Sequence, residues 1–323
     1  MTDDPSGTDP STTDADPRVG AVDRASAVDS GTDASSRAFV PGHVTGFFSA
    51  HPDENPRSAG SRGAGIALAE GVEVSVVPAD GDELPSRSGS TDPSPIDVRL
   101  NGEGADIEPV EAVLSALDAT PRTAGVEVET DLPVGAGFGV SGAAALGTAL
   151  AVNDAFACGR SENELVAVAH VAEVEAGTGL GDVVAQARGG IPIRIEPGAP
   201  GYGSLDGVPA TGRIEYVSFG ELSTAAVLSE DTAGLSAAGE RALSTLRDDP
   251  TLSTLLASSR RFAREAGLLV PEVAEAIDLV DDAGGEAAMG MLGRTVIALG
   301  DGLSAAGYDP DVTRIHQAGA RLL

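Results

Sequence analysis

The sequence predicts an α+β protein in two lobes. Predicted strands and helices are interleaved along the chain without the regular βα repeat of a parallel barrel, and the composition shifts at a Gly/Pro-rich stretch near 197–210. We therefore expect an N-terminal lobe over 37–200 and a C-terminal lobe over 201–323. Residues 1–36 are mainly Asp, Ser, Thr, Pro, Gly and Ala, a composition that predicts a disordered acidic tail.

Alternation of apolar and polar residues predicts strands in the N-terminal lobe. The run over 65–77 predicts a hairpin that turns at Glu70-Gly71, with the following valines on one face. Val126 and Val128 alternate with glutamates, which predicts another strand with its valines inward. The other elements predicted here are a polar loop over 82–95, a hairpin at Asn101-Gly102, a helix over 109–118, a strand over 124–131, a glycine-rich loop over 133–140 and a helix over 141–157.

Helix signals dominate the remainder of the chain. Ser161 and Glu164 form an S-x-x-E capping box, which predicts the start of a helix that continues through Val174. Met289 and Met291 are predicted to be core residues of the last helix. The elements predicted after Gly189-Gly190 are strands over 191–196, near 213–219 and near 224–228, and helices around 236–247, 251–266, 271–281 and 285–299.

The charge composition excludes several classes of function. The chain has 50 acidic and 20 basic residues, a net charge of −30, and all of its basic residues are arginine. Such a surface repels nucleic acid and anionic lipid, so we expect no nucleic-acid or membrane partner. The absence of lysine excludes a Walker A loop, a protein-kinase active site and a pyridoxal Schiff base.

The same composition predicts the environment in which the protein works. Repulsion among acidic groups is screened at about 1 M salt, where the Debye length is about 3 Å. We therefore expect a cytoplasmic protein of a high-salt organism, with a melting temperature that falls in low-salt buffer. The one cysteine, Cys158, cannot form an internal disulfide, which fits a reducing compartment.

The segment PVGAGFGVSGAAALG, residues 133–147, contains five glycines and a single hydroxyl side chain, Ser141. It lies between a predicted strand and a predicted helix, where backbone N–H groups bind anions and Ser141 can cap the helix or contact a metal or phosphate. Three interpretations fit. One is a dinucleotide fingerprint, which needs an acidic residue ending a second strand, whereas Glu162–Glu164 begin a helix here. The others are tight helix packing on glycine and a phosphate loop of another kind.

The loop resembles the P-x-x-x-G-L-G-S-S-A-A motif of GHMP small-molecule kinases, from which it departs at Phe138, Val140 and Gly142. In that family the loop wraps the phosphates of ATP without a lysine. A second match is Asp182, which precedes a Gly-Gly pair by seven residues, as in mevalonate-kinase-like members. The resemblance implies a two-lobed GHMP kinase fold, with an N-terminal ribosomal-protein-S5-like lobe and a C-terminal ferredoxin-like lobe. The ATP-binding residues that it implies are Pro133, Gly135, Gly137, Gly139, Ser141, Gly142 and Ala143.

The resemblance also implies a catalytic set. Phosphoryl transfer to an alcohol requires an aligned hydroxyl, an acceptor for its proton, and Mg²⁺ to neutralise the phosphates. Asp182 would accept or orient the hydroxyl proton, and Ser141 and Glu173 would hold Mg²⁺. Glu173 and Glu175 point about 200° apart on a helix, so we expect only one of them to serve.

Three segments, VPGHVTGFF, SAGSRGAG and GTGLGDVVAQARGGIPIR, resemble the archaeal-type pantoate kinases within the GHMP group. This resemblance implies phosphorylation of pantoate in coenzyme A synthesis, with His43 and Arg194 binding the substrate. Arg194 can bind a carboxylate through two parallel hydrogen bonds, and Arg62 is a further candidate anion contact. A homodimer is expected at the level of the family.

The third GHMP motif, a glycine-rich loop in the C-terminal lobe, is represented only by Gly284-Gly285 within 282–299. Two alternatives to pantoate phosphorylation therefore stay open. One alternative is another GHMP kinase, acting on homoserine, mevalonate or shikimate, and the other is a non-catalytic sensor that binds nucleotide.

Overall fold

The structure, a computed structural model, describes residues 35–79, 96–221 and 232–323. The predicted loop over 82–95, the predicted strand near 224–228 and nearly all of the predicted tail lie outside these residues. The described strands are β1 (Ser36–His51), β2 (Gly60–Pro78), β3 (Asp97–Leu100), β4 (Glu103–Gly104), β5 (Thr123–Thr130), β6 (Ile191–Glu196), β7 (Ser204–Val208), β8 (Arg213–Glu221), β9 (Ala287–Gly290), β10 (Gly293–Leu299), β11 (Asp311–Arg314) and β12 (Arg321–Leu322). The described α-helices are α1 (Glu108–Ala116), α2 (Val140–Ala155), α3 (Glu162–Ala176), α4 (Asp182–Arg188), α5 (Ala233–Asp248), α6 (Leu252–Glu265), α7 (Pro271–Asp282) and α8 (Gly302–Ala305).

The described strands divide between two sheets. The larger sheet has the order β12-β1-β2-β5-β3-β4, with β6 beside β2 and β7 beside β6, and the smaller sheet has the order β11-β8-β10-β9. β3 and β5 run parallel, whereas neighbouring strands such as β1 and β2 run antiparallel. The α+β class predicted from the sequence is therefore confirmed, while the lobe boundary at residue 200 stays a prediction.

The predicted turn at Glu70-Gly71 is wrong, because β2 continues through both residues from Gly60 to Pro78. The long β1–β2 hairpin reverses instead over 52–59. A Cβ atom on Gly71 would lie 2.2 Å from the carbonyl oxygen of Val40, so the glycine permits close approach of two strands. The valines that follow it on one face are buried as predicted: Val72, Val74 and Val76.

The predicted helix over 285–299 is also wrong, because this segment forms β9 and β10 of the smaller sheet. Ala287, Ala288 and Met289 have high helix propensity, but they pair with β10 and are fully buried. Burial on both faces of a strand overrides local propensity. Met289 and Met291 are core residues as predicted, on a strand and the turn after it.

Helices α2 and α3 form the layer that carries the glycine loop. Helix α2 packs against β1, β2 and α3, and Gly147 lets it approach closely, since a Cβ there would lie 2.5 Å from Val74 Cγ2. The capping box of α3 is confirmed: Ser161 N donates to Glu164 Oε2 at 2.9 Å, and Ser161 Oγ accepts from Glu164 N at 3.4 Å. The hairpin at Asn101-Gly102 is present too.

Helix α4, which begins at Asp182, is connected at its far end to the segment 316–322. Gly190 N donates to His316 O at 2.7 Å, and Ala320 N donates to Gln186 O at 3.1 Å. The residues that follow form β12, which pairs with β1. Among the described helices, none combines the length and apolar character needed to cross a membrane.

Candidate active site

A cavity of about 420 Å³ lies at the end of the glycine loop. Four groups of residues surround it: the glycine loop, the segment from the end of α3 to the start of α4, the sheet formed by β1, β2 and β6, and the turn between β9 and β10. The lining residues include Thr45, Phe48, Ser61, Gly137, Gly139, Ser141, Glu173, Leu180, Asp182 and Arg194.

The glycine loop adopts conformations that favour glycine. Gly135, Gly137 and Gly139 have φ values of 76°, 89° and 66°, in the left-handed region. Gly139 is the N-cap of α2, so the expected capping role of Ser141 is wrong, since Ser141 lies inside the first turn. The first N–H groups of a helix lack partners within it. Because Gly139 to Gly142 line the cavity, this helix terminus can bind an anion there.

Ser141 and Glu173 form a pair of oxygen donors on one wall of the cavity. Ser141 Oγ donates to Glu173 Oε1 at 2.5 Å, and Thr178 Oγ1 donates to the same oxygen at 2.9 Å. Glu173 is 3% exposed, and burial raises its pKa to about 7 although both hydrogen bonds act in the opposite direction. Carboxylate and hydroxyl oxygens are ligands that Mg²⁺ prefers, so this pair fits a magnesium site. Glu175, by contrast, is exposed.

The raised pKa of Glu173 predicts a pH dependence of stability in the metal-free protein. Its folded-state value of about 7 lies above the ordinary 4.5, so its favourable contribution is complete below pH 4.5 and is lost as the pH rises through 7. Relative to Glu173→Gln, we expect the free energy of unfolding of the native sequence to fall by about 3 kcal/mol between pH 4.5 and pH 8. Denaturant titrations at both pH values measure this difference.

Glu175→Gln is the matched control for that experiment, because it removes an exposed carboxylate two residues further along the same helix. Its free energy of unfolding should follow that of the native sequence with pH. Parallel curves for the native sequence and Glu173→Gln would contradict the assignment.

Asp182, the first residue of α4, faces the cavity with 27% of its side chain exposed. Its Oδ1 accepts hydrogen bonds from His43 Nδ1 at 2.6 Å and from Thr45 Oγ1 at 3.3 Å. Burial alone would raise the pKa of Asp182, but the hydrogen bond from His43, the charge of Arg194 and the hydrogen bond from Thr45 together hold it below its ordinary value. Asp182 is therefore ionised at neutral pH and able to accept a proton or a hydrogen bond.

His43 lies behind Asp182 and does not line the cavity. The imidazole is 0% exposed and lies across Gly65, where a Cβ atom would approach His43 Nε2 to 2.4 Å. Burial lowers the pKa of His43, which leaves the ring neutral and able to donate from Nδ1 to Asp182. This geometry favours a role in orienting Asp182 over the direct substrate contact expected from the sequence.

Arg194, on β6, is 2% exposed and lines the cavity. Its Nε and Nη1 atoms have no hydrogen-bond partner among the described residues, and burial lowers its pKa while the charge of Asp182 raises it. Buried polar groups are nearly always paired. An unpaired guanidinium that lines a cavity therefore indicates an anionic ligand.

Arg62 is not brought into this cavity. Its Nε donates to Ile195 O at 2.7 Å, and its Nη1 donates to Glu240 Oε2 at 2.8 Å. The preceding residue, Ser61, lines the cavity instead, because successive side chains of a strand point to opposite faces. The sequence alone does not single out Ser61, since the alternation identifies it only once the inward face of β2 is known.

Comparison with known proteins identifies relatives of this chain. Residues 108–190 match the GHMP kinases N terminal domain. A pantoate kinase of Thermococcus kodakarensis is 36% identical over 271 residues, which cover 81% of this chain and 87% of that protein. A pantoate kinase of Methanocaldococcus jannaschii is 32% identical over 265 residues, covering 81% and 91%.

Solved structures give the same result. One described as "Phosphotransferase related to CoA biosynthesis pathway" superposes with a TM-score of 0.77 at 31% identity, over 90% of this chain and 98% of its own. A homoserine kinase from Cytophaga hutchinsonii, with a TM-score of 0.60 and 17% identity over 92% of this chain and 100% of its own, shares the fold.

The chain belongs to the GHMP kinase family and is an ATP-dependent small-molecule kinase. Within that family, the relatives reported above at 32–36% identity are pantoate kinases. The resemblance predicted from the glycine loop and Asp182 is thereby confirmed, and the dinucleotide interpretation of that loop is wrong.

Proposed function

We propose that this protein transfers the γ-phosphate of ATP to the primary hydroxyl of pantoate, giving 4-phosphopantoate in coenzyme A synthesis. The observation that carries the proposal is the proximity of Asp182 to the unpaired guanidinium of Arg194. Gly181 links the two groups, since a Cβ atom there would lie 2.7 Å from Arg194 Nε. The charge of Arg194 also acts on the Asp182 carboxyl, so the two groups are close enough to suit a short hydroxy acid, in which few carbons separate the hydroxyl from the carboxylate.

The chain's own residues supply each part of the reaction. Backbone N–H groups of the glycine loop hold the phosphates of ATP. Arg194 binds the substrate carboxylate and thereby places the hydroxyl beside Asp182. The hydroxyl oxygen bonds to the γ-phosphorus as the bond to the β-phosphate oxygen breaks and ADP leaves, while Asp182 accepts or orients the hydroxyl proton. His43 and Thr45 fix the Asp182 carboxylate in that orientation.

We extend the proposal to the metal and the cellular setting. Ser141 and Glu173 would hold Mg²⁺, which when bound neutralises phosphate charge. The net charge of −30, the absence of lysine and the lone Cys158 support a cytoplasmic enzyme of a high-salt organism, and a fall in melting temperature at low salt tests this setting. We also propose that the two lobes divide near residue 200. The protein is further proposed to form a homodimer.

The proposed function is tested by incubating the protein with ATP and pantoate at about 2 M KCl, where acidic repulsion is screened. We expect ADP release that depends on pantoate, and a product with the mass of phosphopantoate. ADP release of equal efficiency with homoserine, mevalonate or shikimate would favour another GHMP kinase. Tight ATP binding without transfer to any hydroxy acid would indicate a sensor.

A further inference from the structure

We infer that Phe48 determines substrate specificity, because its ring forms the apolar wall against which the methyl-bearing carbon of the hydroxy acid packs. This inference rests on the proposed function and adds to it a selection for branching between the carboxylate and the hydroxyl.

The position of Phe48 follows from strand register. Phe48 of β1 pairs with Gly63 of β2, and Gly63 pairs in turn with Arg194 of β6. Phe48 and Arg194 both line the cavity, so the ring and the guanidinium flank a residue that has no side chain. Adjacent strands lie about 4.8 Å apart, which leaves room for a few carbon atoms between the two side chains. Gly63 cannot be replaced readily, since a Cβ atom there would lie 2.2 Å from Phe47 O.

The ring of Phe48 is held in place from behind. It packs against Phe262 of α6, with ring centroids 5.8 Å apart and an interplanar angle of 54°. Phe262 is buried and does not line the cavity. Because its partner is a rigid aromatic ring, Phe48 presents a fixed surface to the cavity.

The chemistry of the substrate matches this arrangement. A substrate whose carboxylate is bound by Arg194 would lie next to Gly63, so the carbons that lead to its hydroxyl would lie beside Phe48. Leu180 is another apolar residue of the lining. Two methyl groups on one of these carbons would be exposed to water if no apolar side chain lay beside them. Packing on Phe48 removes the methyl groups from water, which favours binding.

The test compares pantoate with 2,4-dihydroxybutanoate, which has the same carboxylate and hydroxyls but lacks both methyl groups. A methylene in an apolar pocket changes kcat/KM by about 10- to 200-fold. We expect the native sequence to prefer pantoate, and Phe48→Ala to reduce the ratio of the two kcat/KM values at least about tenfold. Phe48→Leu, which keeps an apolar side chain and preserves folding better, should reduce the ratio by less.

Phe156→Ala is the matched control, because the Phe156 ring packs against the guanidinium of Arg122 and lies outside the cavity lining. Its ratio should stay close to that of the native sequence. An unchanged ratio in both Phe48 variants, or an equal fall in Phe156→Ala, would overturn the inference while leaving pantoate phosphorylation intact. A native protein that does not phosphorylate pantoate would instead overturn the proposed function itself, and the inference with it.

Discussion

Asp182→Asn lowers kcat for pantoate phosphorylation at least about 100-fold, since a positioned general base contributes about 10²- to 10⁴-fold. Asparagine has the same shape as aspartate, and its amide oxygen can still accept the hydrogen bonds from His43 and Thr45. It cannot accept the proton of the substrate hydroxyl. The loss should therefore appear in kcat, with little change in the KM for ATP, and steady-state kinetics with both substrates measure this split.

Asp206→Asn provides the control for that variant, because Asp206 is an exposed residue of β7 outside the cavity lining. Its activity should equal that of the native sequence. Near-normal turnover in Asp182→Asn, with a native circular dichroism spectrum, would remove Asp182 from the mechanism.

Arg194→Met raises the KM for pantoate about 100-fold or more and changes the KM for ATP little. Truncating one partner of a buried charge pair costs about 2–5 kcal/mol, and each 1.4 kcal/mol is a tenfold change. The same substitution should leave the melting temperature of the ligand-free protein unchanged or higher. The reason is that Arg194 is buried with two donor atoms unpaired, and burial of an unpaired charge is unfavourable.

Arg62→Met is the matched control for Arg194→Met, since both arginines lie on adjoining strands of one sheet but only Arg194 lines the cavity. We expect Arg62→Met to leave the KM for pantoate unchanged. It should lower stability slightly, because it removes the half-exposed ion pair with Glu240. Equal increases in both KM values for Arg194→Met would indicate a different substrate pose.

The parts of the site that depend on neighbouring residues could be predicted from the sequence. The glycine loop and Ser141 form one continuous motif, and Glu173 and Asp182 follow within a single helix and turn. The roles of His43 and Arg62 could not be predicted in the same way, since they depend on the face of a sheet to which each side chain points. A bulge between Pro41 and His43 shifts the pairing register there, and the sequence pattern contains no sign of it.

The two wrong secondary-structure predictions also arise from contacts that the local sequence pattern does not reveal. Gly71 has turn propensity, and Ala287 and Ala288 have helix propensity, yet each lies in a strand because it pairs with a neighbouring strand. Val40 approaches Gly71 from β1, and β10 pairs with both alanines. Local preference is decisive where no such partner exists, as at the capping box of α3, which was predicted correctly.

Because α4 is hydrogen-bonded at its far end to the segment 316–322, we expect cleavage of the chain at a distant point to disturb the position of Asp182. The residues that line the cavity all precede residue 293, so a cut between there and residue 316 would remove none of them. Such a cut would nevertheless break the covalent link between the cavity-lining part of the chain and the segment 316–322. This segment supports the far end of α4 and contains β12, which pairs with β1. A chain cleaved in this way would keep every residue that lines the cavity but would lose the hydrogen bonds that support α4. An intact set of site residues would therefore not be sufficient for kinase activity.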